Sequence, residues 1–560
     1  MARSKIDVGG EPWGHAEAIA RDGSFPRSLD ASLLPWLVPF AIAAGYLVVF
    51  AAQLPHNLAA LAWNPSVGSA YVMPETLVET GTGGHTVMGS SPQWASLWFG
   101  LLTAKLPLHR ELWSVAPTLL FFITALIVGW SVQQLAGRRA AILAVLLGVV
   151  ASPIALTFFM APFSHNTVYP CTALVGAYLI WLTREEGRRR LTTFAVPPIL
   201  GVVVGACLAS DLLLAITTVV PLALTALFAA AQRDRRSRLL AVSALTTVAV
   251  SIPVEKITAA IMKAEGFLLL PSPIHTATLA ELPARAELLF KGLKQLFNGY
   301  LGTEAPGPMH AALGIASDVV MSAALLALIV VGLWTAGTFV WSGLRRALSR
   351  PPGELARSLH IIYWVSSPAC AAGAFWIAGE GPTTTHESYY ATALFAVGAV
   401  IPLLMARRSA TRWLIALGAS VFFVASLVGL TSDYVNVTKT TASSGENIIR
   451  IAAANHVQVG YTNFGDASGV TWASHNRVLL RPVEDCENPE GTNLCPGFQA
   501  YVPAWYVPQR RHTFLVVDAN GIEVRALPAG LGKPLAAYRF EAMTMYIYPY
   551  DIATRFGRVF

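Results

Sequence analysis

The run LLPWLVPFAIAAGYLVVF, Leu33 to Phe50, decides the fold, because nothing charged interrupts it. Roughly 20 apolar residues cross a bilayer as a helix, and with Ala51 and Ala52 this run reaches that length. Just beyond it lies SAYVMPETLVETGTGGH, Ser69 to His85, whose Glu75 and Glu79 are the first acids after Asp30. Which side of a membrane those carboxylates face, and what lies beside them, is the functional question.

The rest of the chain is of the same kind. Of its 560 residues, 54% are hydrophobic and only 13% charged, where a soluble domain carries about a quarter. Most of the apolar surface must therefore face lipid. The net charge of +7 does not point to nucleic acid, since the arginines sit in short clusters between apolar runs. Residues 1–32 are too long and polar for a cleaved secretory signal and read as a cytoplasmic segment. The expected fold class is a polytopic α-helical membrane protein with about eleven spans. They begin near Leu33, Trp113, Ala140, His165, Phe194, Leu212, Leu239, Val319, His360, Ser388 and Trp413.

Charge sets the orientation. Arg138 and Arg139, REEGRRR from Arg184, RDRRSR from Arg233, RRALSR from Arg345 and ARRSATR from Ala406 fall in alternate loops. Lys and Arg accumulate on the cytoplasmic side. All these clusters agree when the amino terminus is cytoplasmic, which places loops 53–112 and 254–318 and everything after Thr431 outside. The expected domains are a membrane domain, 33–431, and an extracytoplasmic domain, 432–560, of mixed α/β or β-rich structure. In the latter, HTFLVVDANGIEVRAL reads as two strands around Asn520-Gly521, a pair suited to a tight hairpin. VTWASHNRVLLRPV reads the same way, with its bend at His475-Asn476. Cys486 and Cys495, close together in a polar external loop, are expected to form a disulfide; metal binding is the rival reading, without a CxxC or a His pair behind it.

Carboxylates, His and Lys at the midplane mark ion-coupled transport. Here the polar residues gather on the outer face instead. Glu75, Glu79 and His85 lie in the first outer loop, His165 and Asn166 in the second, and Asp211 in the third. Lys256 and Lys263 lie in the fourth, with His386 and Glu387 in the fifth. ARAELLFKGLKQLFNGYL, Ala284 to Leu301, is an amphipathic helix for the interface plane, and its Lys291 and Lys294 can hold a phosphate or snorkel among headgroups. His165 and Asn166 can donate to phosphate or cap a span. Asp211 can bind a substrate hydroxyl or a divalent cation, or cap a helix. In the tail, Tyr461, Asn463, Asp466 and Trp472 suit a sugar face and its hydroxyls, and suit surface turns equally. Such a face fits a substrate with its tail in the bilayer and a phosphorylated head outside.

About eleven spans, a long acidic first outer loop and an external carboxy-terminal domain resemble the GT-C glycosyltransferases. SPQWASLWFGLLTAKLPLHRELW, Ser91 to Trp113, is similar to the surface helices of that superfamily. HESYYATALFAVGAVIPLL, His386 to Leu404, resembles one of its late spans, with Glu387 and Ser388 where an Arg is common. The resemblance implies an enzyme at the outer face of the plasma membrane, of an actinobacterial cell by its Ala and Arg content. It would move a sugar from a polyprenyl-phosphate donor to a cell-envelope glycan or glycolipid acceptor, among membrane lipids. It also implies a first-loop acid as general base, which must accept a proton as the acceptor hydroxyl attacks. The family places that acid almost directly after the first span, whereas residues 31–74 here hold no Asp or Glu, and Asn64 and Ser66 stand in the expected place. Glu75 is then the candidate base and Glu79 its substitute, unless Glu75 simply opens a helix. A flippase or exporter of lipid-linked glycans and a catalytically silent glycan-binding relative are the alternatives. The two acids are the first thing to find in the structure.

Overall fold

A chain in lipid must satisfy its backbone internally, and every apolar run named above is helical. The computed structural model describes residues 34–557, apart from 62, 64, 83, 88–93, 162–164, 185–189, 233–234, 269–274, 303–306, 345–351, 380–386, 407–408, 433–436, 487–491, 498–499, 510, 520–523, 525 and 529. The expected cytoplasmic segment 1–32 lies outside these residues. The helices are α1 (Leu34–Leu61), α2 (Pro65–Thr80), α3 (Trp94–Thr103), α4 (His109–Ala136), α5 (Arg138–Val149), α6 (Pro153–Met160), α7 (Val168–Arg184) and α8 (Arg190–Ser210). A π-turn, Ala215–Val219, leads into α9 (Val220–Ala230), followed by α10 (Arg235–Ala264), α11 (Leu282–Leu296), α12 (Pro308–Leu344), α13 (Pro352–Ile377), α14 (Thr392–Val400) and α15 (Ser409–Thr431).

Five of these are long and apolar enough to cross a bilayer: Leu34–Ala59, His109–Ala136, Arg235–Ala264, Pro308–Trp341 and Ala410–Thr431. The others are shorter or broken. The third run in particular is not one straight span: α5 and α6 meet at 86°. Pro153 sits at the start of α6, where Ser152 caps it by accepting from the Ala155 amide at 3.1 Å, so the chain stops one helix and starts another. Helices also run further into the loops between the spans than expected. α10 continues to Ala264 and α12 begins at Pro308, which takes Asp318 into a helix and shortens the expected loop 254–318.

After α15 the chain changes character. α16 (Val437–Ala454) and α17 (Phe464–Ala473) pack on a six-stranded sheet. Its strands are β1 (Val459–Thr462), β2 (Leu479–Asp485), β3 (Leu494–Pro496), β4 (Thr513–Asp518), β5 (Ala536–Phe540) and β6 (Met543–Tyr548), in the spatial order β3-β2-β1-β4-β6-β5. β1 runs parallel to both β2 and β4, and α17 makes the β1-to-β2 crossover. One sheet face carries Gly460, Leu480, Phe514, Val516 and Met545 against Ile448 and Ile451 of α16 and Ala467 and Val470 of α17. The domain is thus mixed α/β.

Two local expectations change. Val470 to Ala473 end a helix rather than form a strand, although the bend at His475 and Asn476 and the strand after it are as read. The β4 strand, expected to turn back at Asn520-Gly521, pairs with β1 on one side and Met543–Tyr548 on the other; residues 520–523 and 525 lie outside the described residues, and the Val524 amide donates to Asn463 Oδ1 at 2.7 Å. Cys486 and Cys495 form the expected disulfide. It closes a short loop, so reduction should lower stability by about 2–3 kcal/mol through the freed unfolded chain. A thermal melt with and without reductant checks this, with Cys486→Ser as the permanent form.

Candidate active site

Glu75 is where the two halves of the molecule meet. It sits in the second half of α2, not at a helix start, so the reading of it as a helix-opening acid does not hold. α2 lies against α17, with Ser69 Oγ 2.9 Å from Ser468 Oγ, and Trp505 Nε1 donates to Thr76 Oγ1 at 2.9 Å. Beneath α2 run α3 and the first turn of α4. Trp113 Nε1 donates to Thr103 Oγ1 at 2.8 Å, and a tight turn leads from Thr103 through Leu106 to His109. Gly100 permits this stacking, because a Cβ there would stand 1.7 Å from the Trp113 ring and 2.7 Å from Pro74. Gly100→Ala is accordingly expected to destabilise the chain by at least about 2 kcal/mol and to disturb the pocket described next; a melt and a substrate-binding titration together check it.

Four contacts converge on the Glu75 carboxylate. His109 Nε2 lies 2.5 Å from Oε1, Arg110 donates from Nε to Oε1 at 3.0 Å and from Nη2 to Oε2 at 3.1 Å, and Asn476 Nδ2 donates to Oε2 at 2.8 Å. Asn476 reaches back because α17 ends in a left-handed turn, with His475 at φ 51° and Asn476 at φ 60°. Asn tolerates that region better than most residues. The Arg110 guanidinium also lies 4.2 Å from the centroid of the Trp472 ring and donates from Nη1 to the Trp472 carbonyl at 3.1 Å. Burial pushes the Glu75 carboxyl up, but the hydrogen bonds from Asn476, His109 and Arg110, with the Arg110 charge, outweigh it and hold the pKa below the ordinary value. Glu75 is therefore a clamped anion with every lone pair engaged.

Beside this clamp opens a cavity of about 590 Å³, lined by Glu75, Val78, Glu79, Ala104, Lys105, His109, Arg110, His475 and Asn476. Glu79 stands one turn after Glu75 and is exposed. Neither Glu79 nor Lys105 forms an ion pair or side-chain hydrogen bond with another described residue. The pocket thus offers one open carboxylate and one open ammonium, framed by a rigid Glu75–Arg110 brace. Trp98, Phe99, Leu102, Leu106 and Leu108 are exposed on α3 and the turn beside it, an apolar rim at the end of α4 where that span begins.

The other expected residues that the structure describes do not line this pocket. His165 Nδ1 lies 2.5 Å from Asp211 Oδ2, with the Tyr389 ring edge-on to the imidazole at 5.4 Å. Asp211 also accepts from the Leu213 amide at 3.0 Å, the capping contact that was one of its two readings. Next to it, Ser210 Oγ accepts from Ala95 in the first turn of α3 at 3.1 Å. The pair therefore lies by the opposite end of α3 from the pocket. Asn166 is buried and donates to the Phe158 and Phe159 carbonyls at 3.4 and 3.2 Å, so it caps a helix end and does not face a phosphate. His85 is exposed beyond α2. On α10, Lys256 pairs with its neighbour Glu255 at 3.1 Å and Lys263 is exposed; on α11, Lys291 is exposed and Lys294 lies 3.7 Å from Asp318. His386 lies outside the described residues, and Glu387 opens a short 3-10 turn. Of the four tail residues, Tyr461 is buried with its hydroxyl on Asp551 at 3.1 Å and Asn463 is buried on the Val524 amide, so neither offers a platform to a sugar. Asp466 lies in the first turn of α17, and Trp472 is covered by Arg110. Among the described residues no three His, Cys, Asp or Glu side chains gather for a metal ion.

Lys105, His109, Arg110, His475 and Asn476 were not singled out by sequence. A signal existed: KLPLHR, Lys105 to Arg110, puts three basic residues in a loop that charge bias assigns to the outside, against the tendency that keeps Lys and Arg within. No family model and no curated protein matches the chain. Two crystal structures are similar to it: ArnT from Cupriavidus metallidurans in the apo state (14% identity, 92% of this chain and 99% of that one, TM-score 0.40) and ArnT from the same organism bound to undecaprenyl phosphate (14% identity, 90% and 98%, TM-score 0.40). A likeness of that size carries no argument about what the chain does.

Proposed function

We propose that the chain is a membrane glycosyltransferase of the GT-C kind, moving a sugar from a polyprenyl-phosphate donor to an envelope glycan or glycolipid at the outer face. The observation that carries this reading is the pocket at the start of α4, with Glu79 and Lys105 open in it and an exposed apolar rim beside it. The rim suits the headgroup region, where a lipid-linked phosphate presents itself. Lys105 meets the phosphate as a point charge. Glu79 takes the proton of the acceptor hydroxyl as that oxygen bonds to the anomeric carbon. The carbon–oxygen bond to phosphate breaks, and its electron pair leaves on the phosphate that Lys105 neutralises. Glu75 acts through others: it fixes His109 and Arg110, and through Asn476 it fixes the external domain over the pocket.

The clamped state of Glu75 also favours a second reading, a protein that binds lipid-linked glycans without transferring them, since a carboxylate held by four donors makes a poor base. Both readings are separated by giving the full chain, in proteoliposomes, a panel of radiolabelled polyprenyl-phosphate sugars with glycan acceptors outside. Label on the acceptor supports transfer. Label that binds and stays on its lipid supports the silent reading, and label that crosses the bilayer supports a flippase.

A further inference from the structure

The sheet face opposite α16 and α17 holds two arginines that the mechanism above does not use. Arg481, on β2, is 8% exposed. Its register partner on β1 is Tyr461, and its guanidinium lies 4.6 Å from the centroid of the Trp505 ring. Nη1 is buried without a hydrogen-bond acceptor among the described residues, and no carboxylate pairs with the group. Arg511, at the foot of β4, is likewise without a carboxylate partner, and its Nε is buried without an acceptor. Burial draws the Arg481 guanidinium down to about 10, and the Arg511 charge acts in the same direction; the Tyr461 hydroxyl and the Gln509 amide, two residues before Arg511, meet on Asp551. The acids nearby are committed elsewhere. Asp551 accepts from the Tyr461 hydroxyl and from the Gln509 and Ala553 amides, and Glu75 is held in its clamp.

A buried cation without a partner is costly. Such an arrangement is stable when an anion completes it, and arginine suits this because its planar fork meets a phosphate or carboxylate with paired bonds. The position fits a substrate group. Trp505, which stacks on Arg481, also holds α2 through Thr76, one residue from Glu75. We infer that Arg481 and Arg511 form an anion subsite on the external domain, which receives a phosphate or carboxylate group of the acceptor glycan while Lys105 holds the donor phosphate. The assignment to the acceptor rests on the proposed transfer; the anion site itself does not.

The test reads binding without donor, so it stands apart from transfer. Inorganic phosphate is titrated against the full chain in maltoside micelles and followed by the 31P line width, at constant ionic strength in chloride. The background is Lys105→Gln, which silences the donor position. Saturable broadening is expected there, cut at least fivefold by Arg481→Gln and by Arg511→Gln, the latter half-exposed and so less disruptive to the fold. Glucuronate is added as competitor: displacement assigns the site to acceptor carboxylates as well, and failure to displace assigns it to phosphate alone. Broadening that disappears with Lys105→Gln, or that survives both arginine substitutions, overturns the inference. Phosphate binding at the arginines in a chain that transfers no sugar leaves the subsite standing and removes the transfer reading.

Discussion

Glu75→Ala is expected to cost about 3 kcal/mol of stability, the low end for breaking a buried ion pair because this one keeps an edge in water. The carboxylate collects His109, Arg110 and Asn476 from two separate parts of the chain. Without it the Arg110 guanidinium keeps only the Trp472 carbonyl, His475 and the indole face, and Asn476 loses its reason for a left-handed backbone. The carboxy-terminal domain should then loosen from α2, visible as a lower melting temperature and faster proteolysis in the 455–557 region. The pH dependence has a definite sign. The folded pKa of Glu75 lies below its ordinary 4.5, so its contribution is complete above the ordinary value and is lost as pH falls through the folded one. The stability gap between wild type and Glu75→Gln should therefore be flat from pH 6 to 8 and close on acidification. A gap that opens on acidification would contradict the clamp.

Glu79→Gln is expected to leave the fold and donor binding intact and to slow transfer by about a hundred- to ten-thousandfold, the span of a lost general base. The amide keeps the shape and removes the proton acceptor. Because Glu79 has no ion pair to lose, its melting temperature should not move. The contrast between the two substitutions matters more than either alone: Glu75 is read in stability, Glu79 in turnover. A loss of transfer in Glu75→Gln that tracks its loss of folded protein agrees with a brace.

Much of this was legible in the sequence. Apolar length alone gave the helices, since lipid admits little else, and the disulfide followed from two cysteines close together in a polar loop. The 86° break between α5 and α6 was less visible, because Ser152-Pro153 lies inside an otherwise continuous apolar run and reads as part of it. Asn520-Gly521 suggested a hairpin, but β4 pairs more than twenty residues on with β6, which completes a buried face. At the site, both acids were named from the sequence, but the clamp around Glu75 was not. The local sequence PETLVET cannot say which carboxylate meets partners, because those partners come from thirty-five and four hundred and one residues away. For Asp211 the sequence left a substrate or cation role and a helix cap both open; the bond from the Leu213 amide is a cap, and the pairing with His165 is a contact across forty-six residues that no spacing announces.

The most direct test of the central claim is the rate of label transfer from saturating polyprenyl-phosphate sugar in proteoliposomes, measured for wild type and for folded Glu79→Gln. The account predicts turnover by the wild type and at most about a hundredth of it in the variant. Wild-type protein that consumes no donor, or a Glu79→Gln variant as fast as wild type, would contradict it.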